Sequence, residues 1–293
     1  MEISELKAFV AVAELGSFSQ AAQTLHLTQP AVSKRISQLE SHLHCPLFDR
    51  IGRNVSLTEA GRELLPRARN ILQEMEDVSR ALSNLSGEVR GTLKIGTSHH
   101  IGLHRLAPIL KQFSKSYPEV SLDIEFIDSE MAFDLVMQGK LELGIVTLPP
   151  DGSGSLQSFP VWQDPLAFMV ANDHPLATSE QLTLEQLAQF PAILPSMATF
   201  TRRIVESLFQ GYDLKIDVPI STNYLETIKM MASIGLGWTV LPATMLGSDV
   251  TELHVRGLQQ EKNKLTRTLG VVHHPAHSLS NAAKAIIHLL RQQ

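Results

Sequence analysis

A pair of short helices near the start of the chain constrains the fold more than any other stretch. Residues 17–40 read SFSQAAQTLHLTQPAVSKRISQLE, in which apolar side chains recur at helical spacing on both sides of a short break. Ser17 predicts the start of the first helix, with Gln20 completing a capping box, and Thr28 predicts the start of the second. Pro30 falls in the first turn of the second helix, where its missing N–H costs nothing. The stretch therefore predicts two amphipathic helices joined by a tight turn.

The second of these helices has two distinct faces. At about 100° per residue, its apolar side chains cluster in one arc and its polar side chains in the neighbouring arc. The apolar arc comprises Val32, Ile36, Leu39 and Leu43. The neighbouring arc comprises Gln29, Pro30, Ser33, Lys34 and Ser37. A recognition helix enters the major groove of DNA by its N-terminal end and uses such side chains to bond base edges and phosphates. The alternative is an ordinary surface helix, which also has a polar face.

A β-hairpin, or wing, is predicted beside the helix pair. Residues 46–58, PLFDRIGRNVSLT, contain two short extended runs around a glycine. Arg50 and Arg53 flank the tip and would contact a DNA backbone or minor groove, or merely solubilise an ordinary hairpin. Residues 28–69 carry seven Lys or Arg against four Asp or Glu, although the net charge of the chain is −5. This local positive charge favours phosphate contact, and a solvated face of mixed charge is the alternative.

A long helix is predicted over residues 58–88. Apolar residues recur in it at alternating spacings of 4 and 3, which is the pattern of a heptad seam. They are Leu64, Ala68, Ile71, Met75, Val78, Leu82 and Leu85. Such a seam predicts a coiled-coil dimer, which would bring two recognition helices to one duplex. A core helix is the alternative, although its apolar stripe is usually wider. Pro66 is expected to kink the early part of the helix.

From residue 91 onward, short apolar runs alternate with helical patterns, as in an α/β domain. The predicted strands are 91–97, 120–127, 141–146, 166–171, 191–195, 216–220, 237–242 and 268–274. The predicted helices are 98–117, 129–138, 199–210, 223–234 and 280–291. Two lobes of similar plan follow, with lobe I over 91–160 and 268–293 and lobe II over 161–267. The chain is expected to cross between them near residues 149–165 and 261–267.

The chain resembles the LysR-type transcriptional regulators over essentially its whole length. The motifs that carry the resemblance are GSFSQAAQTLHLTQPAVSKRISQLE, LFDR, LTEAG and, at 221–242, STNYLETIKMMASIGLGWTVLP. The resemblance implies a winged helix-turn-helix domain over residues 1–58, a dimerisation helix over 59–90, and an effector-binding domain with the two-lobed α/β fold of periplasmic binding proteins over 91–293. It also implies a homodimer or homotetramer that binds an interrupted palindrome in promoter DNA. The DNA-reading positions that match by motif are Gln29, Pro30, Ser33, Lys34 and, in the wing, Arg53.

The chain departs from the family pattern at the end of the recognition helix. His44 and Cys45 stand where the family more often has a glycine. Because a left-handed conformation suits glycine better than histidine, the departure lowers the expected local stability rather than the expected function.

Candidate effector-binding residues follow from the α/β pattern and the resemblance together. Ligands of such lobes bind where strands end and helices begin, and helix N-termini there favour anions. The residues at these junctions are Thr97, Ser98, Ser129, Thr147, Thr199, Thr222 and Asn223. His99, His100 and Arg202 complete the set as neighbours able to bond polar or anionic groups. Each hydroxyl residue taken alone fits a plain helix cap. No acidic cluster is evident around them, which favours an anionic metabolite.

Neither a metal site nor a cofactor is expected. His100 and His104 have the spacing to share one ion, but no carboxylate or cysteine nearby completes a ligand set. The sequence also has no nucleophile elbow, phosphate-binding glycine loop or zinc motif. A regulator rather than an enzyme is therefore predicted. The alternatives are a small-molecule binding protein, or an enzyme on an α/β scaffold whose helices serve only for assembly.

The sequence predicts a cytoplasmic protein. Cys45 is the one cysteine, so the chain has no internal disulfide. It has no apolar run of about 18 residues that would predict a membrane span. The first residues are interrupted by charges at helical spacing, unlike a signal peptide.

Overall fold

A computed structural model describes residues 1–51, 54–179, 181–256 and 265–292 of the chain. These residues form two compact units, Met1–Ser86 and Gly87–Gln293. The described helices include none that is both long enough and apolar enough to cross a membrane.

The first unit contains the predicted helix pair, preceded by one further helix. Its helices are α1 (Ile3–Leu15), α2 (Phe18–Thr24), α3 (Gln29–Leu43) and α4 (Glu59–Asn84). The antiparallel strands β1 (Phe48–Ile51) and β2 (Asn54–Leu57) form the predicted wing. The two expected caps are confirmed, since Ser17 Oγ accepts a hydrogen bond from the Gln20 amide at 3.3 Å and Thr28 Oγ1 from the Ala31 amide at 3.4 Å.

One apolar core joins the three short helices to the wing. Buried residues of α1, including Phe9, pack with Ala21 and Ala22 of α2 and with Val32, Ile36 and Leu39 of α3. Leu43, the fourth residue of the predicted apolar arc, is exposed. The Phe9 and Phe48 rings lie 5.5 Å apart, so β1 packs against α1 through this aromatic pair. Gly61 lies where α4 passes close to the Leu47 carbonyl, and a Cβ at this position would clash with that oxygen. The LTEAG motif therefore needs its glycine for close packing.

His44 ends α3 in the left-handed conformation, with φ 55° and ψ 28°. This is the conformation for which glycine is usually selected. The departure from the family pattern therefore does not change the backbone geometry, and the histidine adopts it with strain.

The apolar seam of α4 is mostly exposed. The helix runs without interruption through Pro66 to Asn84. Ala68 is buried in the core of the first unit, but exposure rises from 40% at Ile71 to 82% at Leu85. Solvated apolar side chains at heptad spacing form a surface suited to pairing with another helix.

The second unit is built on a mixed sheet of seven strands. They are β3 (Gly91–Thr97), β4 (Val120–Phe126), β5 (Leu143–Thr147), β6 (Gln157–Ala171), β9 (Thr239–Pro242), β10 (Val250–Leu253) and β11 (Thr266–His273). The order is β10-β6-β11-β5-β3-β4, with β9 also paired to β6. A separate parallel pair consists of β7 (Ile193–Leu194) and β8 (Ile220–Ser221).

Helices cover this framework around separate apolar cores, one main core in each lobe. They are α5 (His99–Ile101), α6 (Ala107–Ser116), α7 (Ser129–Met137), α8 (Leu184–Leu187), α9 (Phe200–Gln210), α10 (Leu225–Ser233) and α11 (Asn281–Leu290). In lobe II the Trp238 and Phe209 rings stack at 5.5 Å, and Trp238 Nε1 donates to the Leu187 carbonyl at 2.9 Å. In lobe I, α11 packs with α6 beside β3.

The long strand β6 belongs to both lobes. Its first part, residues 157–165, pairs with β11, and its second part, residues 166–171, pairs with β9 and β10. The sequence prediction of a strand confined to 166–171 is therefore wrong, because pairing across the lobes extends it. The second predicted crossing, at 261–267, lies within the described residues only from residue 265.

Other sequence predictions also differ from the structure. The predicted strands 191–195 and 216–220 are reduced to the two-residue β7 and β8, and β10 and α8 were not predicted. The predicted helix 98–117 is interrupted by a π-helical segment at Gly102–Leu106. Such segments are rare and occur frequently at functional sites.

Candidate DNA-contacting surface and effector cleft

The polar arc of α3 lies on the surface, beside the buried arc. Gln29, Pro30, Lys34 and Ser37 are exposed and Ser33 is half-buried, whereas Val32, Ile36 and Leu39 are buried. The N-terminal end of α3 therefore presents short polar side chains and one long cation. These groups are able to bond base edges and phosphates.

The predicted wing arginines are described only in part. The backbone of Arg50 lies in β1 opposite Val55. Arg53 lies outside the described residues.

A cleft of about 400 Å³ lies between the two lobes of the second unit. Lobe I contributes the ends of β4 and β5 with the starts of α5 and α7, and lobe II contributes the starts of α9 and α10. Helix N-termini from both lobes thus meet at one cavity, where their free N–H groups favour polar and anionic ligands.

Seven of the ten predicted effector residues line this cleft: Ser98, His99, His100, Ser129, Thr147, Thr199 and Asn223. Thr97 is buried beneath it and donates to the Ile145 carbonyl at 2.8 Å. The Arg202 side chain turns away into lobe II, where Nε lies 2.7 Å from Glu206 and Nη1 donates to the Pro195 carbonyl at 3.2 Å. Thr222 precedes the lining residue Asn223 and is not itself among the lining residues.

A larger depression of about 1020 Å³ also lies on the second unit, lined by residues such as Leu148, Arg203 and Tyr212. None of the predicted effector residues lines it within the described part of the chain. The smaller cleft is therefore the candidate effector site.

The cleft also contains charged residues that sequence reasoning missed. They are Asp128, Glu130, Glu226 and Arg267. The sequence prediction that no acidic cluster lies around the site is therefore wrong. Asp128 and Glu130 flank Ser129 at the start of α7 and were detectable from that position, whereas Glu226 and Arg267 reach the cleft only through tertiary folding.

Glu130 bridges the two lobes at the start of α9. Its carboxylate accepts a hydrogen bond from the backbone N–H of Phe200. Burial raises the pKa of Glu130 above its ordinary value, while the bond from Phe200 partly opposes that shift. A carboxylate of the protein itself therefore occupies the positive end of the α9 dipole.

A second bridge between the lobes involves Asn223. Its Nδ2 donates to Asp128 Oδ2 at 2.6 Å, and its Oδ1 accepts from the Ser196 amide at 2.9 Å. His99 also spans the cleft, with its ring 5.6 Å from Phe126 and 5.5 Å from Tyr224. These contacts hold the cleft walls together through polar and aromatic groups.

A buried ionic network forms the floor of the cleft. Asp164 on β6 lies 2.8 Å from Arg267 Nε on β11 and 3.1 Å from Arg105 Nη2. Arg267 Nη1 donates to Thr201 Oγ1 at 3.2 Å, and Nη2 is buried without a hydrogen-bond partner among the described residues. Asp164 thus neutralises the cation that faces the ligand space.

His100 is buried beside this network. Burial, followed by the positive charge of Arg267, lowers its pKa to about 4. Both of its ring nitrogens lack a hydrogen-bond partner within the described residues. The neutral imidazole therefore has unused bonding capacity at the edge of the cleft.

The structure brings a carboxylate to the predicted histidine pair. The His100 and His104 rings lie 4.6 Å apart, and His104 Nε2 lies 3.8 Å from Glu226 Oε1 on α10. The expectation that no carboxylate lies near these histidines is therefore wrong, because Glu226 is distant in sequence and adjacent in space.

Comparisons with known proteins agree with the domain pattern. Residues 3–62 match the model of the bacterial regulatory helix-turn-helix proteins of the lysR family, and residues 86–293 match the LysR substrate binding domain. An uncharacterized HTH-type transcriptional regulator of Azotobacter vinelandii is 65% identical over 108 residues, which cover 37% of this chain and 75% of that protein. A probable RuBisCO transcriptional regulator of Synechocystis is 32% identical over 291 residues, which cover 97% of this chain and 84% of the relative.

The fold is also that of a solved regulator bound to DNA. Full-length CbnR, determined in complex with its target DNA, is similar over 100% of this chain and 99% of its own, with a TM-score of 0.65 and 20% identity. Because the family models together cover both units and nearly the whole length, the chain belongs to the LysR family of bacterial helix-turn-helix transcriptional regulators.

Proposed function

We propose that this LysR-family regulator reads promoter DNA, at an interrupted palindrome, through the N-terminal end of α3. The reading residues are Gln29, Pro30, Ser33, Lys34 and Ser37, with Arg50 and Arg53 of the wing contacting the backbone or the minor groove. The observation that carries this proposal is the exposed polar arc of α3, which lies beside a buried apolar arc. That arrangement leaves the polar arc free for a major groove.

Fluorescence anisotropy tests the DNA proposal. The probe is the DNA upstream of the gene, measured at fixed salt against a scrambled duplex of equal length. Gln29→Ala/Ser33→Ala should weaken specific binding about tenfold or more, as expected for losing a base contact. Gln38→Ala/Ser41→Ala alters exposed residues of the same types on the same helix and should leave binding unchanged. If the two double variants lost the same amount of DNA affinity, the assignment of the reading face would be contradicted.

We further propose that α4 pairs two chains through its exposed seam, and that two such dimers form the homotetramer implied by the family. The support is the run of exposed apolar residues from Ile71 to Leu85. Pairing buries these side chains and brings two α3 helices to the half-sites of one operator.

For the cleft, we propose an anionic metabolite as effector. The support is the Glu130 carboxylate at the start of α9, because it shows that the Phe200 N–H is able to bind a carboxylate there. An effector acid would replace Glu130 on the Phe200 N–H and lie near the free Nη2 of Arg267. The cleft residues proposed to contact it include Ser98, His99, His100, Ser129, Thr147, Thr199 and Asn223. Thr97, Arg202 and Thr222 would support the site from behind or beside it.

Calorimetry tests the effector class with a panel of small carboxylates, phosphate monoesters, amines and neutral polyols. Carboxylates or phosphates should bind, and Glu130→Ala should strengthen their binding because it removes an internal competitor. Glu125→Ala removes an exposed carboxylate from the same lobe and should have no such effect. Binding confined to amines and neutral compounds would contradict the anionic proposal.

We infer that the cleft binds its ligand without converting it, and that the protein acts in the cytoplasm on chromosomal DNA. The relatives with matching domains are named as transcriptional regulators. Recovery of a bound ligand unchanged after prolonged incubation distinguishes this function from that of an enzyme on the same scaffold. A ligand effect on operator binding distinguishes it from that of a simple binding protein.

A further inference from the structure

The rim of the effector cleft brings together three side chains of metal-ligating type. His100 lies on α5, His104 lies in the π-helical segment that follows it, and Glu226 lies in the first turn of α10. One ligand atom from each residue lies within 4.8 Å of the other two. Two of the three residues therefore come from lobe I and one comes from lobe II.

This donor set matches the chemistry of a divalent transition metal. Two imidazoles and one carboxylate are a recurring set for zinc sites that keep an open fourth position. Binding would require the ligand atoms to approach until each lies about 2.0–2.2 Å from the ion. The His104 and Glu226 side chains are 47% and 49% exposed, so both are free to rotate inward toward His100.

A second observation points independently to a ligand at this position. His100 is only 4% exposed, yet neither of its ring nitrogens has a hydrogen-bond partner within the described residues. A buried polar group that makes no hydrogen bond destabilises the fold. A metal bound to one ring nitrogen would remove that deficit. Asp164 Oδ2 lies 3.9 Å from His100 Nε2, beyond hydrogen-bond distance, and would have to move closer to orient the ring as carboxylates do behind metal-bound histidines.

We propose that His100, His104 and Glu226 bind one divalent transition metal ion of the zinc class and thereby link the two lobes. Because the ligands come from both sides of the cleft, the ion binds better when the lobes are close together and so favours that arrangement. His100 and Glu226 also line the effector cavity. The remaining coordination position is thus accessible from the cleft, where a metal-binding group of an effector would reach it. Only this last step rests on the proposed function.

The test uses tag-free, full-length protein that has been treated with a chelator and then titrated with Zn²⁺ in a calorimeter. Co²⁺ serves as a spectroscopic substitute whose visible absorption reports tetrahedral coordination. Neither measurement includes DNA or an effector. A negative result would therefore contradict the metal site without contradicting the regulator function, and a failure of the regulator function would leave the metal result unaffected. We expect one tight site per chain and a rise in thermal midpoint with Zn²⁺.

Variants of the two exposed ligands localise the site without disturbing the core. His104→Asn and Glu226→Gln should each weaken Zn²⁺ binding by more than the roughly 10–100-fold lost when an outer-shell partner is removed. His288→Asn changes an exposed histidine on α11 and is the matched control. His277→Asn tests the other close histidine pair, whose His274 and His277 rings lie 4.1 Å apart.

Absence of a tight site would overturn the proposal. The proposal would also be overturned if His104→Asn and Glu226→Gln both bound Zn²⁺ with wild-type affinity, or if only His277→Asn lost affinity for Zn²⁺.

Discussion

Glu130 and Phe200 are 70 residues apart in the chain, yet the Glu130 carboxylate accepts a hydrogen bond from the Phe200 amide across the effector cleft. The bond joins the start of α7 in lobe I to the start of α9 in lobe II. A side chain of the protein thus occupies the position where helix α9 would bind an external anion. Opening of the lobes and binding of an anion would both have to break this contact.

The raised pKa of Glu130 makes it a source of pH-dependent stability. The folded state holds its proton more tightly than the unfolded state, whose ordinary value is 4.5. Its contribution is therefore fully present below pH 4.5 and is lost as pH rises through the folded-state pKa. Glu130→Gln lacks this dependence. We expect the thermal midpoint of the Gln variant, relative to wild type, to be higher at pH 7 than at pH 4. A constant difference would contradict this prediction.

His100 should show the opposite dependence. Its pKa falls from 6.5 to about 4 on folding, so its contribution is present above pH 6.5 and is lost as pH falls through about 4. Urea unfolding at several pH values should show a steeper acid loss for wild type than for His100→Gln. Chemical shifts of the His100 ring would give its pKa directly. A titration near pH 6.5 would contradict the prediction.

Asp164 should be essential to the junction between the lobes. It is fully buried and compensates Arg267, its partner in the pairing of β6 with β11. Asp164→Ala would leave a buried cation without its counterion, which costs about 3–5 kcal/mol. Replacing both residues, as in Asp164→Leu/Arg267→Met, should cost less because the buried cation is removed together with its counterion, and only Arg105, whose side chain is 27% exposed, loses a partner. Urea unfolding of the single and double variants measures the free energy of unfolding that each one loses. Equal losses in the two variants would contradict the prediction.

The exposed seam of α4 should control assembly. Val78→Glu/Leu82→Glu would place carboxylates within the apolar seam, and sedimentation should then show an assembly smaller than that of the wild type. Ser83→Glu adds the same type of charge off the seam, at an exposed position of the same helix, and should leave the assembly intact. Dissociation by Ser83→Glu, or an unchanged mass in the seam variant, would show that chains associate through another surface.

His44 should be a site of local strain. Its left-handed backbone costs a residue with a Cβ about 1–2 kcal/mol, and glycine avoids that cost. His44→Gly should therefore stabilise the first unit, by about 0.5–1 kcal/mol after the greater flexibility of glycine in the unfolded chain is included. Ser41→Gly, within the helical part of α3, should destabilise by about 0.5–1 kcal/mol. Thermal unfolding of both variants tests this difference in sign.

The sequence alone determined the helix-turn-helix, the wing and the helical seam. Their signals are local, since the caps at Ser17 and Thr28 and the two arcs of α3 each depend on residues only a few positions apart. The LTEAG motif and the recognition-helix motif also indicated the family to which the chain belongs. The junction residues of the α/β part were equally predictable, because ligands collect where strands end and helices begin.

Only the tertiary structure decided which charges share the cleft. Asp164 and Arg267 are 103 residues apart, and Glu226 reaches His104 from the other lobe. No periodicity or spacing reports such pairs, because they depend on how β6 and β11 pass between the lobes rather than on local conformational preference. Glu226 and Arg267 were therefore missed for one physical reason: side chains far apart in sequence interact only after the topology has brought them together.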